Sequence, residues 1–340
     1  MNDERLLALR PLISILVLLS VIAALKATAA VTMPVALAVF TLILAWPLQQ
    51  LLERKRVPRP LAYCITLGAI LFIFACFIGL LYLCVQSVAA KAPEYEDQFA
   101  AIYEKARVWI QDRGPESGVN RNDESATTST IIEALRTAVV WSYGLLGLFT
   151  LTITFLVLGL IESHRFRDKL SGSMQPKAAT AFREAGREVG VTLQRYILVR
   201  TVVSASTGIV VGLYTWAIGL DFPLIWGVSS FLLNYIPVLG SIVAVIPPSA
   251  FALLHPEAWV FFAALGGLTL IQFTIGNFID PRLEGKILSL SPFILFFSLV
   301  FWGWVWNIPG ALMGIPITAT IVIFCRKFEA SRWFATLLTK

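Results

Sequence analysis

The sequence predicts an all-α, polytopic membrane protein of about eight apolar segments, with both termini cytoplasmic. Two of the segments are broken by Pro and Gly in the manner of re-entrant hairpins. Three observations carry that expectation. Only 14% of the 340 residues are charged while 57% are hydrophobic, against roughly 25% charged in a soluble chain. The charges are unevenly spread, leaving charge-free runs longer than the roughly 20 residues that a helix needs to cross a bilayer. Basic residues gather in short blocks between those runs, as they do in cytoplasmic loops. The composition excludes a soluble enzyme, a secreted disulfide domain and a disordered chain. The net charge of +6 is accounted for by those loops, and no nucleic-acid partner is expected.

Residues 1–90 hold the first three membrane helices. Pro11 to Leu25 is apolar, with Pro11 where a first helical turn tolerates it. No small-residue cleavage site closes this run, so a retained helix is expected rather than a signal peptide. Lys26 interrupts and predicts a tight hairpin. Ala27 to Leu52 and Leu61 to Ala90 are then charge-free, on either side of the basic block Arg54 to Arg59. Residues 91–136 differ in kind, with nine acidic and six basic residues. They predict an extracytoplasmic insertion, an amphipathic helix followed by a Gly- and Ser-rich loop. Residues 137–161 form the fourth span. Residues 162–200 carry eight basic and four acidic residues; Phe182, Ala185, Val189 and Leu193 mark one face of a helix expected along the membrane surface. Residues 201–325 form the transport core, beginning with a span over 201–220 whose Gly208 and Gly212 allow close helix approach. Residues 326–340 are a cytoplasmic tail. The counts of Lys and Arg place the basic loops and the N-terminus inside, and Lys26, Asp221 and the acidic insertion outside.

Segment 222–254 has 33 residues without a formal charge. As one helix it would be about 50 Å long, against a hydrocarbon core of about 30 Å. Asn234-Tyr-Ile-Pro237 and Gly240-Ser241 at its centre break a helix twice, so two half-helices are expected. Segment 287–325 poses the same problem around Asn307-Ile-Pro309-Gly310, although two full spans of about 29 Å each also fit it. Pro223 to Pro247 and Pro292 to Pro316 are equally spaced, and each segment has an Asn shortly before an Ile-Pro pair. An internal repeat and chance similarity both fit that pattern. Between the segments, Ala258 to Ile279 makes one span. Inverted broken helices are the usual place of a transporter's substrate site.

Gly219-Leu-Asp-Phe-Pro-Leu-Ile-Trp-Gly227, Leu233 to Ser241, Gly276-Asn-Phe-Ile-Asp-Pro-Arg-Leu-Glu-Gly285 and Phe301 to Gly310 together resemble the autoinducer-2 exporter family, the PerM-like permeases of the bacterial inner membrane. Pro34, Pro47-Leu48 and Pro58 to Ala62 fit the same pattern. The resemblance covers nearly the whole chain and is strongest from Tyr196 to Arg326. It implies an inner-membrane, multi-pass exporter of small solutes, named for a furanosyl quorum-sensing signal. Some relatives are instead attributed sodium–proton antiport, so substrate does not transfer with the fold.

The candidate site residues are Asn234, Pro237, Gly240, Ser241, Gln272, Asn277, Asp280, Arg282, Asn307, Pro309 and Gly310. The uncharged amides and Ser241 can hydrogen-bond a polyhydroxylated solute, or equally satisfy the backbone of a broken helix. Asp280 can bind Na⁺ or carry a proton; the alternative is a loop salt network of Asp280 with Arg282 and of Glu284 with Lys286. Arg200 is expected to snorkel to the cytoplasmic headgroups. Trp302, Trp304 and Trp306 alternate and cannot share one helical face, which suits a pocket lining or an interface belt. His164 and His255 read as interfacial. Cys64, Cys76, Cys84 and Cys325 read as buried thiols. No ATP-binding loop is found at Gly285-Lys286, and neither a nucleophile–base arrangement nor a cofactor or metal motif is found. Transport by an ion gradient or passive flux is expected, not catalysis. The expected partners are the bilayer, a small polar solute or Na⁺ and H⁺, and further copies of the chain, a pentamer among the options. A membrane scaffold that moves nothing is the remaining alternative.

In a background without native cysteines, an impermeant thiol reagent added outside should label Cys at position 117. It should miss Cys at positions 56, 174 and 339. Labelling at 174 from outside would overturn the orientation.

Overall fold

The structure, a computed structural model, describes residues 2–76, 79–80, 82–83, 86, 147–162, 176–237, 239–280, 282 and 290–339. The insertion at 91–136, residues 137–146 of the fourth span, His164, Cys84 and the Glu284–Lys286 pair lie outside them. The described residues are helical almost throughout and contain no strand. Five stretches are long and apolar enough to cross a bilayer: Ala29–Arg54, Arg59–Cys76, Ala178–Ala217, Ala258–Ile279 and Pro292–Lys327. The chain is an all-α, multi-pass membrane protein.

The helices are α1 (Asn2–Ala27), α2 (Ala29–Arg54), α3 (Arg59–Cys76), α4 (Gly147–Glu162), α5 (Pro176–Ala217), α6 (Pro223–Leu233), α7 (Leu239–Phe251), α8 (Ala258–Thr274), α9 (Pro292–Lys327) and α10 (Arg332–Leu338). They divide between two compact units. One comprises Met1–Leu67, Leu145–Arg195 and Ile287–Lys340; the other comprises Gly68–Gly144 and Tyr196–Lys286.

In the first unit the break between α1 and α2 falls at Thr28 (φ −99, ψ 19), not at Lys26. The Thr28 hydroxyl donates to Ala24 O at 2.7 Å, a back-bond that bends helices. One residue this close to helical geometry bends the axis, and the tight hairpin expected at Lys26 does not form. Helix α4 sits so close to α2 that a Cβ on Gly159 would lie 2.5 Å from Leu42 Cδ1. The start of α5 does not present its apolar face to the membrane surface, as its sequence pattern predicts. That face is covered by protein: Val189 and Leu193 pack with Ile323, Phe40 and Ile43, and the Phe182 ring lies 5.2 Å from that of Phe324. Arg326 pairs with Glu188, and Lys327 Nζ lies 3.3 Å from Glu184 Oε2.

Helix α9 is itself a hairpin. Pro292 opens it at the first turn, with the Ser291 hydroxyl accepting from Ile294 N at 3.3 Å. Trp306 (φ −127, ψ 22) and Asn307 (φ 55, ψ −141) then leave helical geometry, the latter in a region that few residues other than glycine adopt. Beyond the break the chain returns along itself. A Cβ on Gly310 would lie 1.9 Å from Trp302 O and one on Gly314 2.8 Å from Ser298 O, and Trp302 Nε1 donates to Thr318 Oγ1 at 3.2 Å. The arm over 292–305 is about 21 Å long, short of a span, and that over 308–327 about 30 Å. Lys26 Nζ stands 3.4 Å from the Trp304 ring centroid, while Trp302 and Trp306 are buried.

The second unit repeats the motif. Pro223 opens α6 after Phe222 in left-handed geometry. The two half-helices α6 and α7 are about 17 and 20 Å long, and each is too short to span. They fold against each other: the Phe222 and Phe251 rings lie 5.4 Å apart at the open end, and a Cβ on Gly240 would fall 1.8 Å from Leu233 O at the turn. Helix α5 meets α6 through glycine. A Cβ on Gly208 would lie 2.7 Å from Gly227 O, and one on Gly227 2.7 Å from Gly208 O, which is the close approach expected of the Gly208–Gly212 pair. On the other side Tyr214 donates to Ala263 O of α8 at 2.8 Å, over the space that Gly267 leaves open. Val211, Leu220, Ala252, Val260, Ala264 and Leu268 form the core between these elements.

Cys64 and Cys76 are exposed on α3 and Cys325 is half-buried, which corrects the expectation of buried thiols. In a bilayer an apolar run faces lipid as readily as protein, so apolar context does not report burial. His255 is half-buried and accepts at Nδ1 from the Glu257 backbone N–H (3.2 Å).

The Phe222–Phe251 contact puts both ends of segment 222–254 together. Cysteines at positions 221 and 255 should therefore be labelled from the same face of the membrane. Labelling from opposite faces would make the segment a crossing.

Candidate functional site

Helix α5 carries one buried stripe along its length: Ala185, Val189, Leu193, Tyr196, Arg200, Val203, Thr207, Val211 and Thr215. Every spacing is three or four, the period of one helix face. Tyr196 and the residues after it belong to the second unit, and there the stripe turns polar. Arg200, 1% exposed, donates from an Nη to Asp280 Oδ2 at 3.1 Å, the Asp280 side chain being 16% exposed. Thr201 Oγ1 accepts from the Tyr235 hydroxyl at 2.8 Å. Thr207 Oγ1 accepts from Asn234 Nδ2 at 3.2 Å, Asn234 being 2% exposed. These three contacts tie α5 to the turn between α6 and α7 and to the end of α8.

Asp280 comes directly after a π-helical turn, Ile275–Ile279. The wider turn rotates Asp280 and its neighbours relative to α8. The same unit also holds unspent polar capacity. Ser204 and Ser230 Oγ, Gln272 Oε1 and Asp280 Oδ1 are buried without a hydrogen-bond partner among the described residues. An unsatisfied buried polar atom costs about 1–3 kcal/mol, so several of them within one apolar unit, Ser249 Oγ included, call for an explanation.

The predicted residues separate into groups. Asn234, Gln272 and Asp280 lie in this unit with polar atoms turned inward. Pro237 stands in the turn and Gly240 is buried against Leu233, while Ser241 is half-buried on the first turn of α7. Asn277 is exposed and donates to Phe273 O of its own helix at 3.0 Å. Arg282 is exposed. Asp280 pairs with Arg200 and not with Arg282, which corrects the Asp280–Arg282 part of the alternative loop network. Arg200 is likewise buried rather than snorkelling, because Asp280 supplies its counter-charge. Asn307, Pro309 and Gly310 belong to the other unit, with Asn307 exposed and Gly310 buried at the break of α9. Sequence reasoning missed Thr201, Ser204, Thr207, Ser230 and Tyr235 as site residues. The stripe spacing carried a signal for Arg200 and Thr207: both continue the series that begins at Ala185.

Half-helices that fold back on themselves beside long apolar helices, with buried polar groups at the turn, define a class of multi-pass membrane protein built for passage of solutes. The chain belongs to the AI-2E transporter family, whose profile matches residues 12–330. It is therefore a membrane transporter. It is 27% identical to the AI-2 transport protein TqsA of Escherichia coli, over 95% of this chain and 93% of that one. It is 30% identical to a protein of Borreliella burgdorferi over 95% of this chain and 89% of that one; the name of that protein proposes transport and gives no substrate. The Escherichia coli protein YhhT is 26% identical over 94% of this chain and 91% of that one.

Removing one partner of a buried pair leaves a bare charge, at a cost of about 3–5 kcal/mol. Arg200→Met alone should lower unfolding resistance in detergent by that amount. The double variant Arg200→Met with Asp280→Leu should recover most of the loss. A double variant no more stable than Arg200→Met would show that the pair is not what holds α5 to the end of α8.

Proposed function

We propose that the chain is a secondary transporter that exports a small, polar, AI-2-like solute across the bacterial inner membrane. The observation that carries the reading is the polar seam on α5, at the turn of the α6–α7 hairpin. The open acceptors and hydroxyls of the same unit, Ser204, Ser230, Gln272 and Asp280 Oδ1, offer hydrogen bonds to a neutral polyhydroxylated molecule without demanding a charge on it. The AI-2 transport assigned to TqsA by name supports the same substrate class. The placement of segments 222–254 and 287–325 as re-entrant hairpins, and assembly of several copies, belong to the same proposal. Asn307, Pro309 and Gly310 enter it as the corresponding turn of the second hairpin.

Cation–proton antiport ranks second. It rests on Asp280 as the exchanging group, and the free Oδ1 favours it. Against it stands Arg200, which already supplies the counter-charge that a bound cation would have to replace.

Proteoliposomes holding the purified chain should accumulate labelled AI-2 faster than protein-free vesicles. An imposed Na⁺ gradient should produce no pH change in them. Asn234→Leu, which removes the amide from the seam, should cut solute flux at least tenfold, and Arg282→Gln should leave it within twofold. A Na⁺-driven pH change that Asp280→Asn abolishes, in vesicles that pass no AI-2, would replace this reading with antiport.

A further inference from the structure

A groove of about 470 Å³ runs between α5 and α8. Val202, Val203 and Val210 form one wall and Leu270, Ile271 and Ile279 the other. Its two hydroxyls on α5 are spent on their own helix: Ser206 donates to Val202 O at 2.9 Å and Thr207 to Val203 O at 2.8 Å. Apart from Thr274 on α8 the walls therefore present hydrocarbon, which offers little to a polar solute. The groove opens outward, with Val202 55% and Leu270 66% exposed. Both helices are apolar enough to lie in a bilayer, so this opening is at membrane depth.

The groove has a charged end. On α8 and its π-helical extension Ile275 and Ile279 line the groove, and residue 282 comes three positions later, also helical. Arg282 thus comes about one turn beyond the last apolar lining residue, at the end of the groove. It is exposed, and no ion pair to it is found among the described residues. The distribution of Lys and Arg places this end of α8 on the cytoplasmic side, where anionic headgroups draw basic side chains. A second copy of the chain filling the groove would have to desolvate Arg282 at its edge; a lipid phosphate pairs with it.

We propose that this groove seats an acyl chain of an anionic phospholipid, whose phosphate is held by Arg282. The lipid packs on the outer side of α5, one helix face away from the polar seam, and braces the helix that carries Arg200 and Thr207. The inference does not depend on which solute is transported.

The full chain, reconstituted in phosphatidylcholine vesicles, is tested with chain-labelled nitroxide probes of phosphatidylglycerol and of phosphatidylcholine. The motionally restricted fraction is read by electron paramagnetic resonance. At low salt the restricted site should prefer phosphatidylglycerol about fivefold. Arg282→Gln should remove that preference and leave the phosphatidylcholine fraction unchanged. Ser206→Phe, which fills the groove, should lower the restricted fraction of both probes; Val210→Trp serves where that variant does not fold. A preference that survives Arg282→Gln, or restricted fractions that survive groove filling, would overturn the proposal. So would disulfide formation between copies bearing Cys at 202 and at 270, which would show a neighbouring chain in the groove.

Discussion

A charge placed among hydrocarbon has to be matched by another charge, and in this protein the pair Arg200–Asp280 meets that demand. The pair joins two helices 80 residues apart in sequence. Because a guanidinium cannot shed its proton, Arg200 stays buried only while a carboxylate faces it. The π-helical turn before Asp280 supplies the rotation on which that depends. The polar contact of α5 through Thr207 is then in register, since Thr207 lies two turns on, on the same side of the helix as Arg200.

The hairpins answer a different constraint. A backbone that leaves helical geometry at membrane depth exposes amides and carbonyls that no lipid can satisfy. Both hairpins respond by keeping their arms in contact, and both need glycine where the arms meet: Gly240 against Leu233, and Gly310 and Gly314 against Trp302 and Ser298. Their turns differ in chemistry. Asn234 is buried and its amide is committed to Thr207, whereas Asn307 is exposed and takes the positive φ of its break. The equal Pro spacing of the two segments therefore accompanies a shared hairpin shape but not a shared set of polar contacts.

Helix α5 serves two media within the second unit. One face meets the α6–α7 turn and is polar; the neighbouring face meets α8 and is hydrocarbon. Thr207 stands at the boundary, giving its hydroxyl hydrogen to its own helix and accepting from Asn234, so that its methyl side is free to line the groove. One β-branched residue with a single hydroxyl suffices to separate the two environments.

The class of the protein was legible in the sequence, because membrane solvation acts on composition and run length directly. Charge-free runs and the breaks at Asn234-Tyr-Ile-Pro237 and Asn307-Ile-Pro309-Gly310 are local signals, and the helices and both folded-back segments obey them. The candidate Asn234 and the close approach at Gly208 were legible for the same reason. The partner of Asp280 was not. A charge in sequence reads as a membrane boundary, which holds when the charge faces water, and that reading divides α5 at Arg200 although its apolar spacing runs on unbroken. Only the tertiary structure brings Asp280 alongside, and a buried ion pair is a property of two distant residues that neither one displays alone. The burial of the cysteines was likewise beyond the sequence, since lipid and protein core select the same side chains, and only packing decides which of the two a given face meets.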